Sequence, residues 1–234
     1  GIFLSTKRLT FELKIAPRVS VNDDECEFPV NRVFCVGRNY AEHAREMGND
    51  PERDPPFFFL KSLDALVPGG GAIKYPRATN DLHHEIEMVV ALGRSGSDIS
   101  HSEALDHVYG YAVGLDLTRR DLQAQAKKMN RPWDFGKSFE QGAPITGITR
   151  ASACGHLSTG EISLTVNGKV RQMGNLEEMI WDVPEIICFL SKFYQLEAGD
   201  LIFTGTPAGV GPLQRGDKLV GHVSGLSTLS VDIF

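Results

Sequence analysis

The chain has 234 residues, enough for one large domain or two small ones with a full core. A formal charge of -6 and a pI near 5.7 exclude the basic face that nucleic-acid binding needs. Four scattered cysteines (Cys26, Cys35, Cys154, Cys188) form no CxxC pair, which points to reduced thiols in a cytoplasmic protein rather than a disulfide framework or zinc knuckle. No apolar stretch reaches membrane-spanning length. Gly1-Ile2-Phe3-Leu4, interrupted by Lys7-Arg8, does not read as a signal peptide.

Residues 1–30 read as a short strand-bearing arm, in which Thr10 to Ile15 alternates and Asn22-Asp23-Asp24-Glu25 is a polar turn. The rest, 31–234, reads as one domain. Arg32 to Gly37 is a buried strand, and Asn39 is placed to cap a short helix from Tyr40 to Met47 that Gly48 closes. Asn49 to Pro56 is too rich in proline and polar residues for regular structure and reads as a mobile loop suited to a lid. Phe57 to Lys61 follows as a strand. The apolar residues Ile86 to Val90 and Tyr109 to Leu115 mark two more, and Ser102 to His107 marks a short helix. Thr118 to Met129 predicts a helix capped by Thr118, with Leu122, Ala126 and Met129 on one face. Leu164 to Arg171 is a hairpin turning at Asn167-Gly168. Asp182 and Pro184 open a helix, and Leu201 to Thr204 is a strand entering the Gly-rich run Gly205 to Gly211. That run has no Gly-Lys-Ser/Thr and no following helix, so it is not a phosphate loop. Helices are few and irregularly placed, which predicts an α+β fold with much antiparallel or mixed sheet.

The chemistry centres on Leu82-His83-His84-Glu85-Ile86-Glu87 and on Asp116 at the end of the following strand. Glu85 and Glu87 are two apart, so on a strand their carboxylates share a face. Carboxylates crowded on a half-buried strand repel each other unless a cation joins them. Oxygen donors without cysteine favour Mg²⁺, Mn²⁺ or Ca²⁺ over Zn²⁺. A solvated acidic strand edge with a capping Asp gives the same pattern. His43 and Glu46, three apart on the short helix, make either a tautomer-fixing general-base dyad or a solvated ion pair. Lys137 is either an oxyanion neutraliser or a snorkelling surface lysine. Arg120 and Gln123 either bind a carboxylate and a carbonyl or form an ordinary polar helix face. Arg38 is a second possible carboxylate clamp. His83 shares the parity of the acids and is read as structural.

Together these stretches resemble the fumarylacetoacetate hydrolase superfamily, in its branch of acylpyruvate and fumarylpyruvate hydrolases. The resemblance is carried in order by Cys35-Val36-Gly37-Arg38-Asn39-Tyr40-Ala41-Glu42-His43, Phe59-Leu60-Lys61, His83 to Glu87, Leu115 to Asp121, Gly136-Lys137-Ser138-Phe139, Val166-Asn167-Gly168 and Thr204-Gly205-Thr206-Pro207. It implies a β-rich roll with short peripheral helices, a homodimer, and a metal-dependent catalytic domain over 31–234. Glu85, Glu87 and Asp116 would hold Mg²⁺ or Mn²⁺, as Ca²⁺ could in a crystal. His43 and Glu46 would activate water; Lys137 and Gln123 would face the reacting carbonyl and enolate; Arg120 and Thr206 would help hold the substrate. The implied reaction splits a carbon–carbon bond of a β-diketo acid. Two departures stand out: Ser62 replaces the usual Pro after Phe-Leu-Lys, which predicts a looser strand end. The acidic ligand that larger relatives carry before the Gly-Arg turn is absent from Val33-Phe34-Cys35-Val36. A decarboxylase or tautomerase acting on oxaloacetate or a related diacid is a rival on the same fold, and a silent metal-binding protein a more distant one.

Overall fold

The computed structural model of the chain describes residues 7–48 and 54–234. Its centre is the strand Ile86–Leu92, every residue of which is buried. It pairs antiparallel with Val108–Leu115 on one side and Asp200–Phe203 on the other. Asp200–Phe203 runs parallel to Arg32–Gly37, which pairs in turn with Phe57–Lys61. Beyond Val108–Leu115 come Ala143–Ile145 and Leu66–Pro68, completing with Thr149–Arg150 a mixed eight-stranded sheet. A five-stranded sheet runs Lys169–Asn175, Glu161–Val166, Lys218–Val223, Leu229–Ile233 and Gly71–Ile73.

Strand alternation sorts the side chains into two cores. Ile86, Met88, Val90 and Leu92 join Tyr111, Val113, Ile162, Leu164, Leu219 and Val231 between the sheets. The sheets approach closely enough that a Cβ on Gly221 would meet Ile86 at 2.5 Å. Val89 and Ala91 face the other way, onto Val33, Cys35, Leu201, Phe203, Val30 and the hairpin residues Val19 and Phe28. That hairpin, Arg18–Ser20 with Glu27–Pro29, comes from the N-terminal arm. By the same parity Glu87 belongs to the second face, and it sits opposite Gly114, where a Cβ would meet the Phe203 ring at 2.6 Å.

Several expected elements are present. The turn at Asn167 (φ 53) and Gly168 (φ 78) joins Glu161–Val166 to Lys169–Asn175. Asp182 caps the helix Val183–Leu190 by accepting from the Glu185 amide at 2.8 Å. Others differ. Thr10 to Ile15 is not a strand; Leu9, Phe11, Leu13 and Ile15 lie exposed, because within the described residues the segment has no strand to pair with. Asn39 does not cap its helix, now Ala41–Glu46. Its amide bonds Trp181 O and Thr204 O and accepts from the Trp181 amide, tying together the segments around the site. Thr118 lies in a short bridge to Leu82–His83 and leaves the helix Arg120–Lys128 uncapped by its side chain. Ser102 to His107 yields only a 3₁₀ turn, Ala104–His107. Ser62, where a Pro would have no amide to offer, donates its N–H to Ser138 Oγ at 2.8 Å, so this strand end is tied rather than loose. Residues 49–53 of the expected lid lie outside the described residues.

Candidate active site

Three carboxylates meet at the end of the central strand. Glu87 projects from it, Glu85 immediately precedes it, and Asp116 follows the neighbouring strand, its amide bonded to Glu85 O at 2.9 Å. One oxygen from each lies within 4.8 Å of the others, and the three residues are 5 %, 1 % and 1 % exposed. This burial rules out a solvated acidic edge. Lys137 Nζ sits 3.1 Å from Glu85 and 2.8 Å from Asp116, and it also donates to Thr118 Oγ1. Arg120 donates to Glu85 at 2.8 Å, to Gln123 Oε1 at 2.8 Å and to His83 Nδ1 at 3.2 Å. Burial alone would raise the Glu85 carboxyl, but Lys137 and then Arg120 outweigh it and hold Glu85 well below the usual carboxylate range. Among the described residues Glu87 accepts only from the Gly205 amide, at 2.8 Å; burial, then Asp116 and Glu85, push its carboxyl up.

The donor set suits a cation. Asp116 Oδ1 is buried and accepts no hydrogen bond, although Lys61 Nζ is 2.7 Å away. The Lys61 ammonium is spent on the carbonyls of Leu117, Lys137 and Gly142, at 2.9, 2.6 and 3.2 Å. A carboxyl driven toward protonation at Glu87, in a buried set made only of oxygen donors within 4.8 Å of one another, fits a hard divalent ion.

Around this floor the cavity is lined by Val36, Arg38, His43, Gln123, Lys137 and Thr206, and also by Met47, Phe59, Arg120, Lys127 and Trp133. Every site residue expected from the sequence therefore reaches it except Glu46, which stands behind His43. Glu46 Oε2 is 3.2 Å from His43 Nδ1, and its carboxylate also accepts from the Gly209 amide. Burial works against the ionised Glu46, but the bonds from His43 and Gly209 hold its carboxyl below the ordinary value. With Nδ1 engaged, Nε2 is the His43 nitrogen left for the cavity. Gln123 Oε1 is occupied by Arg120, which leaves its NH₂ group as a donor for a carbonyl. Lys137 is 3 % exposed, which removes the surface-lysine reading.

Sequence reasoning missed four residues. Lys61 is part of a strand and of the Phe59-Leu60-Lys61 motif but has no site role in the sequence reading, yet it braces Asp116 from behind. Gln172, on the opposite sheet, accepts from the Ile86 amide at 3.0 Å and pairs with His84 Nδ1 at 2.9 Å. Its Nε2 donates to Thr206 Oγ1 at 2.7 Å and to Pro207 O at 2.8 Å. Thr206 thus accepts from behind and keeps its own O–H to donate into the cavity. Lys127 and Trp133 are the other two. The helix Arg120–Lys128 was expected to bury an apolar face; it buries Arg120 and Gln123 with Ala126 and leaves Met129 46 % exposed, because what it covers is the polar cavity.

The family profile for the fumarylacetoacetate (FAA) hydrolase C-terminal region matches residues 32–233. A fumarylpyruvate hydrolase from Pseudomonas aeruginosa, solved with Mn²⁺ and pyruvate, is 48 % identical with a TM-score of 0.94, covering 97 % of this chain and 99 % of its own. A fumarylpyruvate hydrolase from Ralstonia sp is 43 % identical over 79 % of this chain and 95 % of its own length. The mitochondrial oxaloacetate decarboxylase of Dictyostelium discoideum is 41 % identical over 84 % of this chain and 90 % of its own.

Proposed function

The chain belongs to the fumarylacetoacetate hydrolase family, and from that premise we propose a Mg²⁺- or Mn²⁺-dependent hydrolase of β-diketo acids. The preferred substrate is fumarylpyruvate, or another acylpyruvate, and the products are pyruvate and a carboxylic acid such as fumarate. The observation that carries this reading is the His43–Glu46 pair set on the same cavity as Glu85, Glu87 and Asp116. Decarboxylation and tautomerisation need no attacking water; hydrolysis does, and a carboxylate-backed imidazole supplies the base for it.

Glu85, Glu87 and Asp116 would hold the divalent ion, which would supply positive charge for the 2-keto acid end and for the enolate. His43 Nε2 takes the proton from water, and Glu46 stabilises the imidazolium through Nδ1. Gln123 donates its amide N–H to the carbonyl under attack. Lys137 places a buried positive charge beside the negative charge that develops. Thr206 donates its hydroxyl to a substrate oxygen. Collapse breaks the carbon–carbon bond and releases the acid with its new hydroxyl, and His43 then returns its proton to the enolate carbon to give pyruvate.

A second reading, oxaloacetate decarboxylation or tautomerisation, is supported by the Dictyostelium relative. Steady-state turnover of fumarylpyruvate, acetylpyruvate and oxaloacetate by the Mn²⁺-loaded protein separates the two. The hydrolase reading expects kcat/KM for an acylpyruvate to exceed that for oxaloacetate by at least about tenfold; the reverse order overturns it. The homodimer implied by the resemblance is checked by light scattering.

A further inference from the structure

Among the described residues, four cationic side chains line the cavity: Arg38, Arg120, Lys127 and Lys137. Arg120 and Lys137 are committed to Glu85 and Asp116. Among the described residues, no carboxylate forms an ion pair with Arg38 or Lys127. We propose that Arg38 and Lys127, seated on the Trp133 indole, clamp a second carboxylate of the substrate, so that this site selects dicarboxylic β-diketo acids. The proposal rests on the hydrolase reading and gives its substrate a second charged end.

The placement is built from separate parts of the chain. Arg38 follows the strand Arg32–Gly37, Lys127 lies in the last turn of the helix Arg120–Lys128, and Trp133 precedes the helix Asp134–Lys137. The Arg38 guanidinium is 5.9 Å from the Trp133 ring and 5.2 Å from the Phe57 ring; Lys127 Nζ is 5.0 Å from Trp133. Phe57 and Trp133 pack edge to face at 5.2 Å. An aromatic face attracts a cation without satisfying its hydrogen bonds, so both groups keep donors for an anion. Arg38 also has φ +57, a left-handed conformation that a non-glycine residue adopts at a cost and that recurs at functional sites. Exposure grades from the buried acids through half-buried Lys127 and Trp133 to exposed Arg38. The clamp therefore sits toward the open side of the cavity, where the end of the substrate remote from the metal ligands would lie. Lys127 is brought down to about 8 by burial, then by Arg38, Arg120 and Lys137, with Glu85 alone acting the other way. An anion bound there relieves that repulsion.

The readout is the ratio of kcat/KM for fumarylpyruvate to that for acetylpyruvate, which lacks the distal carboxylate, on Mn²⁺-loaded protein. Lys127→Met should lower this ratio by about tenfold to a hundredfold, the worth of a charge-assisted hydrogen bond, and Lys127→Arg should retain most of it. A ratio unchanged in both Lys127→Met and Arg38→Met overturns the clamp. If wild-type protein hydrolyses neither substrate, the hydrolase reading has failed, and the clamp is judged by binding instead. Thermal shifts with fumarate and with crotonate, the same skeleton bearing one carboxylate, should then favour fumarate in wild type and converge in Lys127→Met. Equal shifts in wild type overturn the clamp on its own.

Discussion

Replacing Gln172 with Met removes the link between the two sheets behind the site while nearly conserving volume. The side chain makes four hydrogen bonds, to Ile86 N, His84 Nδ1, Thr206 Oγ1 and Pro207 O, and is 1 % exposed. His84 can change tautomer and the Thr206 hydroxyl can turn, so those two partners adapt. The Ile86 N–H and the Pro207 carbonyl cannot, and each orphaned buried group costs about 1–3 kcal/mol. The expected loss is about 4 kcal/mol. For a chain of this size each kcal/mol moves Tm by about 2–4 °C, which gives a fall of about 12 °C. Thr206→Val, which loses one adaptable bond, should cost about 1 kcal/mol and about 3 °C. Differential scanning calorimetry on both variants without added metal measures this. A fall of less than about 3 °C for Gln172→Met, or equal falls for the two variants, refutes the view that Gln172 fastens the central strand to the Thr206 loop.

His43→Ala should lower kcat for acylpyruvate hydrolysis by about 10²–10⁴ while titration calorimetry still shows Mn²⁺ and pyruvate binding; unchanged kcat with raised KM would make His43 a binding residue only. Lys127 loses its proton in the fold near pH 8, so its charge is present below about 8 and absent above. The preference for fumarylpyruvate over acetylpyruvate should therefore decline as pH rises through about 8 in wild type and persist in Lys127→Arg; parallel profiles in the two proteins contradict this. Asn39→Ala deprives Trp181 and Thr204 of three hydrogen bonds, the one to Thr204 buried and the two to Trp181 partly buried. It should cost about 2–4 kcal/mol in urea unfolding, and a loss below about 1 kcal/mol would show that the two segments hold without it.

What the sequence could reveal was whatever depends on near neighbours. The parity of Glu85 and Glu87, the i,i+3 spacing of His43 and Glu46, the Asn-Gly hairpin and the Asp182 cap are local, and the structure contains all of them. The residues that escaped depend on distant pairings. Lys61 meets Asp116 across 55 positions and Gln172 meets Ile86 across 86. Neither looks unusual beside its own neighbours. The helix Arg120–Lys128 misled for a related reason: periodicity reports which face is apolar, and here the buried face is polar because it roofs a charged cavity. The alternation from Thr10 to Ile15 is a strand pattern without a strand, since pairing needs a partner the described residues do not offer.

The central claim is that Glu85, Glu87 and Asp116 form a divalent-metal site on which activity depends. The most direct measurement is Mn²⁺ titration of metal-stripped protein, followed by paramagnetic resonance, alongside acylpyruvate turnover in the same samples. The account predicts one Mn²⁺ per chain, turnover that rises from background with occupancy, and loss of both in Glu87→Ala, which leaves only two carboxylates at the site. Full turnover in metal-stripped protein, or unaltered Mn²⁺ binding in Glu87→Ala, would contradict it.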